Sequence, residues 1–375
     1  MDIDTKYNLI TRDLQEVVGS EVEIKNILSQ RSLKIYWGTA PTSQPHIGYI
    51  VPMLKIIDFL KADCEVCILI ADLHATLDSL KSTHEQVESR SKYYELIIKE
   101  LLQSLNVNSD KLIFVKGSEY QLSRAYTMDM YRAHTLITTQ EAKKAGSEAV
   151  KQSDNPLMSS MMYPTLQALD EQYLGADAQF GGVDQRKIFM HAHKVLPLLG
   201  YKKRIHFMNP LIPGIRFEKS EVVPEIKPED SATNDAKEKE DSENIEQKMS
   251  STDENTKIDL LDTKNMLKRK INKAFCLPGD LKDNSLLILV EKIIFPVLQI
   301  KNISFIINRK VSFGGPICYS IFNDLKNDFE SQVLHPGDLK LGIIDTLDII
   351  LAPIRKVFDK PEYKLIRQQA YPQKN

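Results

Sequence analysis

The sequence predicts an α/β domain built on a parallel sheet, followed by an α-helical domain. Three observations predict it. Short apolar runs of strand character alternate with stretches of helical periodicity over the first part of the chain, the order that sets parallel strands side by side with helices on both faces. The first run feeds a Gly/Pro loop and then a helix, the arrangement found at the ligand-binding end of such sheets. From residue 258 the pattern becomes helical, with basic residues clustered at Lys264, Lys268, Arg269, Lys270 and Lys273. These observations divide the chain into domains 1–257 and 258–375.

Residues 5–31 read as helical, with Leu9, Ile10, Leu14, Val17 and Val18 on one face. Residues 35–37 (Ile-Tyr-Trp) read as a buried strand, and Gly38, Pro41 and Pro45 break the chain behind it. A helical pattern begins at Ile47 and runs through Ile50, Val51, Leu54 and Ile57. Residues 64–71 and 111–115 are the next strands, separated by a long amphipathic helix over 84–105. Asp72, Leu73 and His74 fall at the carboxyl end of the second strand. Between 120 and 200 the pattern is mostly helical, and 178–182 reads as an apolar turn into paired glycines. Residues 216–247 are Glu-, Lys-, Asp- and Ser-rich with no aromatic residue after Phe217, a disordered surface insertion by composition. Phe313-Gly-Gly and His335-Pro-Gly-Asp-Leu-Lys340 mark turns between the later helices.

Bulk properties narrow the function classes. The chain has 375 residues, 42% hydrophobic and 27% charged, with a net charge of −2. The 216–247 stretch holds 11 acidic and 5 basic residues, net −6, so the remainder carries +4. That balance is compatible with a nucleic-acid partner without requiring one. No apolar stretch approaches the roughly 20 residues of a membrane helix, and the N-terminus lacks a secretory pattern. Four cysteines in a chain of this size suit a reducing compartment, so a cytoplasmic location is expected. Cys64 and Cys67 lie in a strand, where residues three apart face opposite sides, and read as ordinary buried cysteines. His191 and His193 cannot chelate together on a helix and read as surface residues. No phosphate-loop or dinucleotide glycine fingerprint occurs, and no protein-held metal is expected.

Several constellations carry chemistry. The strand-loop-helix at 34–50 aims a helix N-terminus at its ligand, which suits a polyphosphate. His46 can donate to a phosphate oxygen, and Gly48 leaves room for a flat base. Tyr163, Gln167 and Asp170 stand at i, i+4 and i+7, so a phenol, an amide and a carboxylate share one helix face; a solvated face would look the same. Gly181 and Gly182 let the backbone approach a ligand, and Asp184 suits ribose hydroxyls or a helix cap. Lys248, followed by Met249, Ser250 and Ser251, suits a mobile loop that brings a cation to a phosphate.

Pro45-His-Ile-Gly and Lys248-Met-Ser-Ser, about 200 residues apart, together resemble the HIGH and KMSKS signatures of class I aminoacyl-tRNA synthetases. The segments 36–40 (Tyr-Trp-Gly-Thr-Ala), 71–75 (Ala-Asp-Leu-His-Ala), 166–170 (Leu-Gln-Ala-Leu-Asp), 178–187 (Ala-Gln-Phe-Gly-Gly-Val-Asp-Gln-Arg-Lys), 257–262 (Lys-Ile-Asp-Leu-Leu-Asp) and 335–340 extend the likeness. It is similar to tyrosyl-tRNA synthetases of the eukaryotic and archaeal cytoplasmic type over nearly the full length, the 216–247 insertion apart. The resemblance implies a Rossmann-like catalytic domain, a helical anticodon-binding domain, a homodimer with no membrane association, and the substrates L-tyrosine, Mg-ATP and tRNA(Tyr). It implies that Tyr36 and Asp170 bond the substrate phenol and that Tyr163, Gln167 and Gln185 hold its amino group. His46, Gly48, Gly182 and Asp184 would bind ATP, with Lys248 and Ser250 at the phosphates as they react. Phe313 and Asp338 would read the anticodon, and Arg132 would meet the acceptor end.

The sequence departs from the pattern in three places: Tyr49 replaces the second histidine of HIGH, Lys248 has no second lysine beside it, and Phe313 stands where many relatives carry tryptophan. No appended domain is expected after Asn375. Tryptophanyl-tRNA synthetase, a non-catalytic RNA-binding paralogue and a small nucleotidyltransferase are the competing expectations. A Tyr36/Asp170 pair suits a phenol better than an indole, and a lone nucleotidyltransferase leaves 258–375 unexplained.

Overall fold

A computed structural model describes residues 1–78, 83–107, 112–148, 157–217, 249, 256–282 and 284–372. The expected insertion therefore lies outside the described residues from 218 to 247, as do Lys248 and Ser250.

Strands β1 (Glu16–Val18), β2 (Lys34–Thr39), β3 (Glu65–Ile70), β4 (Leu112–Lys116), β5 (Ala178–Gly182) and β6 (Ile205–Asn209) form one sheet. Its order is β1-β6-β5-β2-β3-β4. Every pair is parallel except β1 with β6. Ile35, Tyr36 and Trp37 are all buried, as a strand covered on both faces requires. The chain builds outward from β2 through β3 to β4, then returns to lay β5 and β6 on β2's other side. The sheet's switch point is thus the crevice between the carboxyl ends of β2 and β5, where such sheets bind ligands.

Two helices frame that crevice. Met158–Tyr173 and Arg186–Leu198 pack together, and the second follows β5 after a single 3-10 turn, Val183–Gln185. On the other side, Ile50–Lys61 follows β2, and the long helix His84–Ser104 starts from a capping box of Thr83 and Gln86. The later part of the chain comprises helices Lys264–Lys273, Ser285–Leu289, Phe295–Lys301, Phe322–Glu330, Pro336–Phe358 and Pro361–Ala370. It also holds a small antiparallel pair, β7 (Phe305–Ile307) with β8 (Ile317–Tyr319). Pro336–Phe358 and Pro361–Ala370 pack on His84–Ser104. One apolar core consequently runs from Ile35 and Phe59 through Tyr93 to Leu347 and Phe358.

Four expectations need correction. Residues 5–31 are two helices, Ile3–Thr11 and Glu21–Gln30, separated by β1. Asp13 and Gly19, both at positive φ, break the helix, and Val17 and Val18 pair with Phe207 and His206. Residues 178–182 are an interior strand, because partners on both sides satisfy a backbone whose glycines alone suggest a turn. The β6 strand and the β7/β8 pair carry no period-2 pattern, and neighbours decide them. His191 is buried, not on the surface, and its Nε2 bonds Thr165 Oγ1 at 3.1 Å; His193 is half-buried and bonds the Arg204 carbonyl.

Candidate active site

A cavity of about 650 Å³ opens at the switch point. Tyr36, Tyr163, Gln167, Asp170 and Gln185 all line it, and so do His46, Gly48, Gly182 and Asp184. Residues distant in sequence converge because β2, β5 and the helix Met158–Tyr173 end or cross there.

Asp170 forms the most constrained part of the wall. It is completely buried. Its Oδ1 accepts three hydrogen bonds, from Tyr120 Oη at 2.6 Å, Gln121 Nε2 at 2.7 Å and Tyr126 Oη at 3.0 Å. Its Oδ2 has no hydrogen-bond partner. Burial pushes the carboxyl up to about 7, against the pull of the three donors. His74 Nε2 is 3.7 Å from Oδ2. Burial drives that imidazole down to about 3, so it is neutral, and its ring meets Tyr163 edge-on with centroids 4.6 Å apart. A buried carboxyl group with three donors fixed on one oxygen and none on the other is poised to receive a proton donor from the cavity. Tyr36, also buried, donates its hydroxyl to the Gln167 carbonyl at 3.3 Å. Burial beside Asp170 holds that phenol well above its ordinary value, so it remains a neutral O–H.

The helix face that sequence alone leaves open to solvent is inside the protein: Gln167 and Asp170 are buried and Tyr163 lines the cavity. Gln167 Nε2 donates to Gln185 Oε1 at 2.9 Å, joining this helix to the turn after β5. The paired glycines permit that junction. A Cβ on Gly181 would lie 2.8 Å from both Gln185 Oε1 and Phe189 Cζ, and one on Gly182 would collide with the Asp184 carboxylate.

On the other wall, the backbone N–H of Gly48 donates to His46 Nδ1 at 3.1 Å, capping the 3-10 turn Ile47–Tyr49. With Nδ1 used as an acceptor, the neutral ring carries its proton on Nε2. A Cβ on Gly48 would sit 2.7 Å from His46 Cε1, so glycine is required for the cap as much as for any ligand. Tyr49, in the position of the second histidine of the motif, bonds Thr39 Oγ1 at 3.0 Å. Ile47 N–H donates to the Ile258 carbonyl at 2.8 Å, and His46 bridges to Asp259. The chain beyond residue 255 is thereby tied to this turn. Met249 is buried, lines the cavity and donates its N–H to the Ile212 carbonyl at 2.9 Å.

A family model for class I tRNA synthetases (W and Y) matches residues 28–221 and 241–352. The chain belongs to that family. A cytoplasmic tyrosine–tRNA ligase from Danio rerio is 50% identical over 370 residues, covering 99% of this chain; the chain spans 64% of that protein's length. The Saccharomyces cerevisiae protein of the same name is 46% identical over 379 residues, covering 99% of this chain and 89% of its own. Among solved structures, a tyrosyl-tRNA synthetase complexed with L-tyrosine from Archaeoglobus fulgidus superposes with a TM-score of 0.78 at 32% identity, over 95% of this chain and 99% of that one. Membership of the family accounts for the Rossmann-like sheet and the helical C-terminal region.

Among the described residues, the three remaining candidates, Arg132, Phe313 and Asp338, do not line the cavity. Arg132 is exposed, at the end of the helix Arg124–His134, with its guanidinium on Asp129 Oδ1 at 2.8 Å. Phe313 is 68% exposed on the connection between β7 and β8. Asp338, in the first turn of Pro336–Phe358, accepts from Arg309 Nη1 at 3.5 Å, while Arg309 Nε donates to the Gly315 carbonyl at 3.0 Å. Arg309 thus brings the Phe313 loop and Asp338 onto one surface. Sequence reasoning missed Tyr120, Gln121 and Tyr126, for which no local pattern exists. His74, at a strand's carboxyl end, carried a positional signal but no role. Among the described residues, no group of three His, Cys, Asp or Glu side chains could hold a metal, and no helix is long and apolar enough to cross a membrane.

Proposed function

We propose that this chain is a cytoplasmic tyrosyl-tRNA synthetase. It joins L-tyrosine to ATP, giving tyrosyl-adenylate and pyrophosphate, and then passes the tyrosyl group to the 3′-terminal adenosine of tRNA(Tyr) with loss of AMP. The observation that carries this reading is the unpartnered Oδ2 of Asp170 beside the Tyr36 hydroxyl in the cavity wall. A phenol donates to the first and accepts from the second. Phenylalanine leaves the carboxylate oxygen unpaired, and a site built for a hydroxyl rejects the analogue lacking it; tyrosyl-tRNA synthetases are themselves the standard example of that rule. The names of the relatives, which include the word cytoplasmic, support the location.

The chemistry needs positioning and charge neutralisation more than a catalytic base. The substrate ammonium donates to Tyr163 Oη and the Gln167 amide oxygen, an orientation held by the Gln167–Gln185 bond. Its carboxylate then attacks the α-phosphorus in line, and the bond to the bridging oxygen breaks. Nε2 of His46 donates to a phosphate oxygen, Asp184 takes the ribose hydroxyls, and Gly48 and Gly182 keep the walls low. Lys248 and Ser250 would complete the phosphate side, and Mg2+ would enter on the ATP phosphates. Residues 1–257 form the catalytic domain. Residues 258–375 bind the anticodon, with Phe313 stacking on a base and Asp338 on its edge; Arg132 would reach the acceptor end only by leaving Asp129. A homodimer is supported by Leu122, Met128, Tyr131 and Met158, large apolar side chains at least half exposed in neighbouring segments.

The test is amino-acid-dependent ATP–pyrophosphate exchange with tyrosine, tryptophan and phenylalanine, followed by charging of tRNA(Tyr). Exchange with tyrosine alone, abolished in Asp170→Ala, is the expected result. In Phe313→Ala exchange persists, while charging efficiency drops roughly 10- to 100-fold, the value of one stacked base. Tight tRNA binding without exchange from any amino acid would sink the enzyme and leave an RNA-binding paralogue.

A further inference from the structure

Arg90 projects from the second turn of the helix His84–Ser104 and touches two segments far from it in sequence. Its Nη1 donates to the Thr42 carbonyl at 2.7 Å, and its Nε donates to the Ala370 carbonyl at 3.0 Å. Its guanidinium also lies over the Tyr371 ring, 5.1 Å from the centroid. Thr42 lines the cavity in the loop that leads into the His46 turn. Ala370 is the last residue of the helix Pro361–Ala370. One turn further along, Tyr94 donates its hydroxyl to the carbonyl of Ser43, next in that loop, and its ring meets Tyr49 edge-on at 6.0 Å. Tyr93 packs between Phe358 and Tyr371, at 5.4 Å from each. The nucleotide-side loop and the final helix of the C-terminal region are therefore fastened to the same turns of one helix.

We infer that Arg90 is a positioning residue, which sets the loop ahead of His46 and makes its placement depend on the C-terminal helices. The inference rests on the reading of this cavity wall as the ATP side. A guanidinium suits the task because its planar fork offers several donors in fixed directions and stays charged. Lysine can satisfy either carbonyl but not both in the same geometry. Small displacements of positioning groups cost catalysis steeply, and the loop 40–45 contains two prolines but only one internal backbone hydrogen bond, Thr42 N–H to the Ala40 carbonyl, among those described.

The experiment uses the full chain with Arg90→Ala and Arg90→Lys. Pyrophosphate exchange is measured with ATP and tyrosine varied separately, and hydrogen exchange is followed over residues 39–49 and 361–371. In Arg90→Ala, kcat/KM for ATP is expected to fall roughly 10- to 100-fold, the KM for tyrosine to stay within about twofold, and both segments to exchange faster. Arg90→Lys should recover part of each loss, and it stands in for the alanine variant should that one fail to fold. Parent-like ATP kinetics in either variant that folds would overturn the inference. So would equal losses for ATP and tyrosine with faster exchange everywhere, the mark of a merely structural residue. If the parent itself shows no exchange activity, the proposed function fails, and faster hydrogen exchange confined to one of the two segments would still separately overturn the coupling.

Discussion

A carboxyl group that is fully buried and raised from 3.8 to about 7 by that burial favours the folded state only while it is protonated. The sign follows from linkage: the unfolded chain gives up this proton near pH 4, the folded chain near pH 7. The contribution of Asp170 to stability is therefore full below about pH 4 and lost as pH rises toward about 7. Asparagine has no such titration. The denaturation midpoint of Asp170→Asn, relative to the parent, is expected to rise between pH 4.5 and 8 and then level off, while tyrosine-dependent exchange disappears; a constant difference across that range would count against the burial account. Tyr120 and Tyr126, whose phenols burial and Asp170 push upward, remain neutral donors throughout. The residue proposed to make the cavity selective thus weakens the fold around neutral pH, a common trade between stability and function.

Helix Met158–Tyr173 carries three of the five cavity residues proposed to hold tyrosine, so its seating decides the site. Next to Asp170, Glu171 is also completely buried, and its Oε1 pairs with His206 Nε2 on β6 at 2.7 Å. Phe189 stacks on the His206 ring at 4.6 Å. This bond fastens the helix to the half of the sheet that includes β5. Removing the imidazole strands a buried carboxyl, at a cost of about 1–3 kcal/mol or more. His206→Ala is expected to lower the denaturation midpoint and to raise the KM for tyrosine more than that for ATP; unchanged values in both would show the pair to be incidental. The helix face itself was legible, since the i, i+4, i+7 spacing put Tyr163, Gln167 and Asp170 in line. Whether that line faced water or a cavity was not, because spacing records which residues share a face and not what covers it.

At the scale of the whole molecule, the same separation recurs between what packs within the chain and what is left over. Arg31 reaches across to Asp177, which also accepts from Lys34 N–H at 2.9 Å; this fastens β2 to β5 at the end of the sheet opposite the cavity. The core is continuous into the C-terminal helices. The apolar side chains that core does not absorb crowd around 122–136 and 157–158, a density that suits an interface. With a second copy seated there, sedimentation at micromolar concentration should give about twice the 42.8 kDa chain mass, and Met128→Glu with Tyr131→Glu should return it to the single-chain value. A single-chain mass for the parent would remove the dimer from the proposal.

The sequence by itself determined the alternation that makes an open parallel sheet, the strand-loop-helix that presents His46, and the polar residues of the pocket. All are local properties, written in spacings of a few residues, and the resemblance to class I synthetases was carried by the same short segments. Only the tertiary structure decided which groups meet them. Tyr120, Gln121 and Tyr126 lie 44 to 50 residues from the Asp170 they hold. Arg90 joins carbonyls 48 and 280 residues away. The β1 strand and the interior β5 strand exist because β6 and β2 pair with them, against a local pattern read as helix and turn. Local spacing specifies faces and breaks. Which distant backbone or side chain satisfies a buried polar atom is settled when those faces close on one another, since only then does leaving it unpaired become costly.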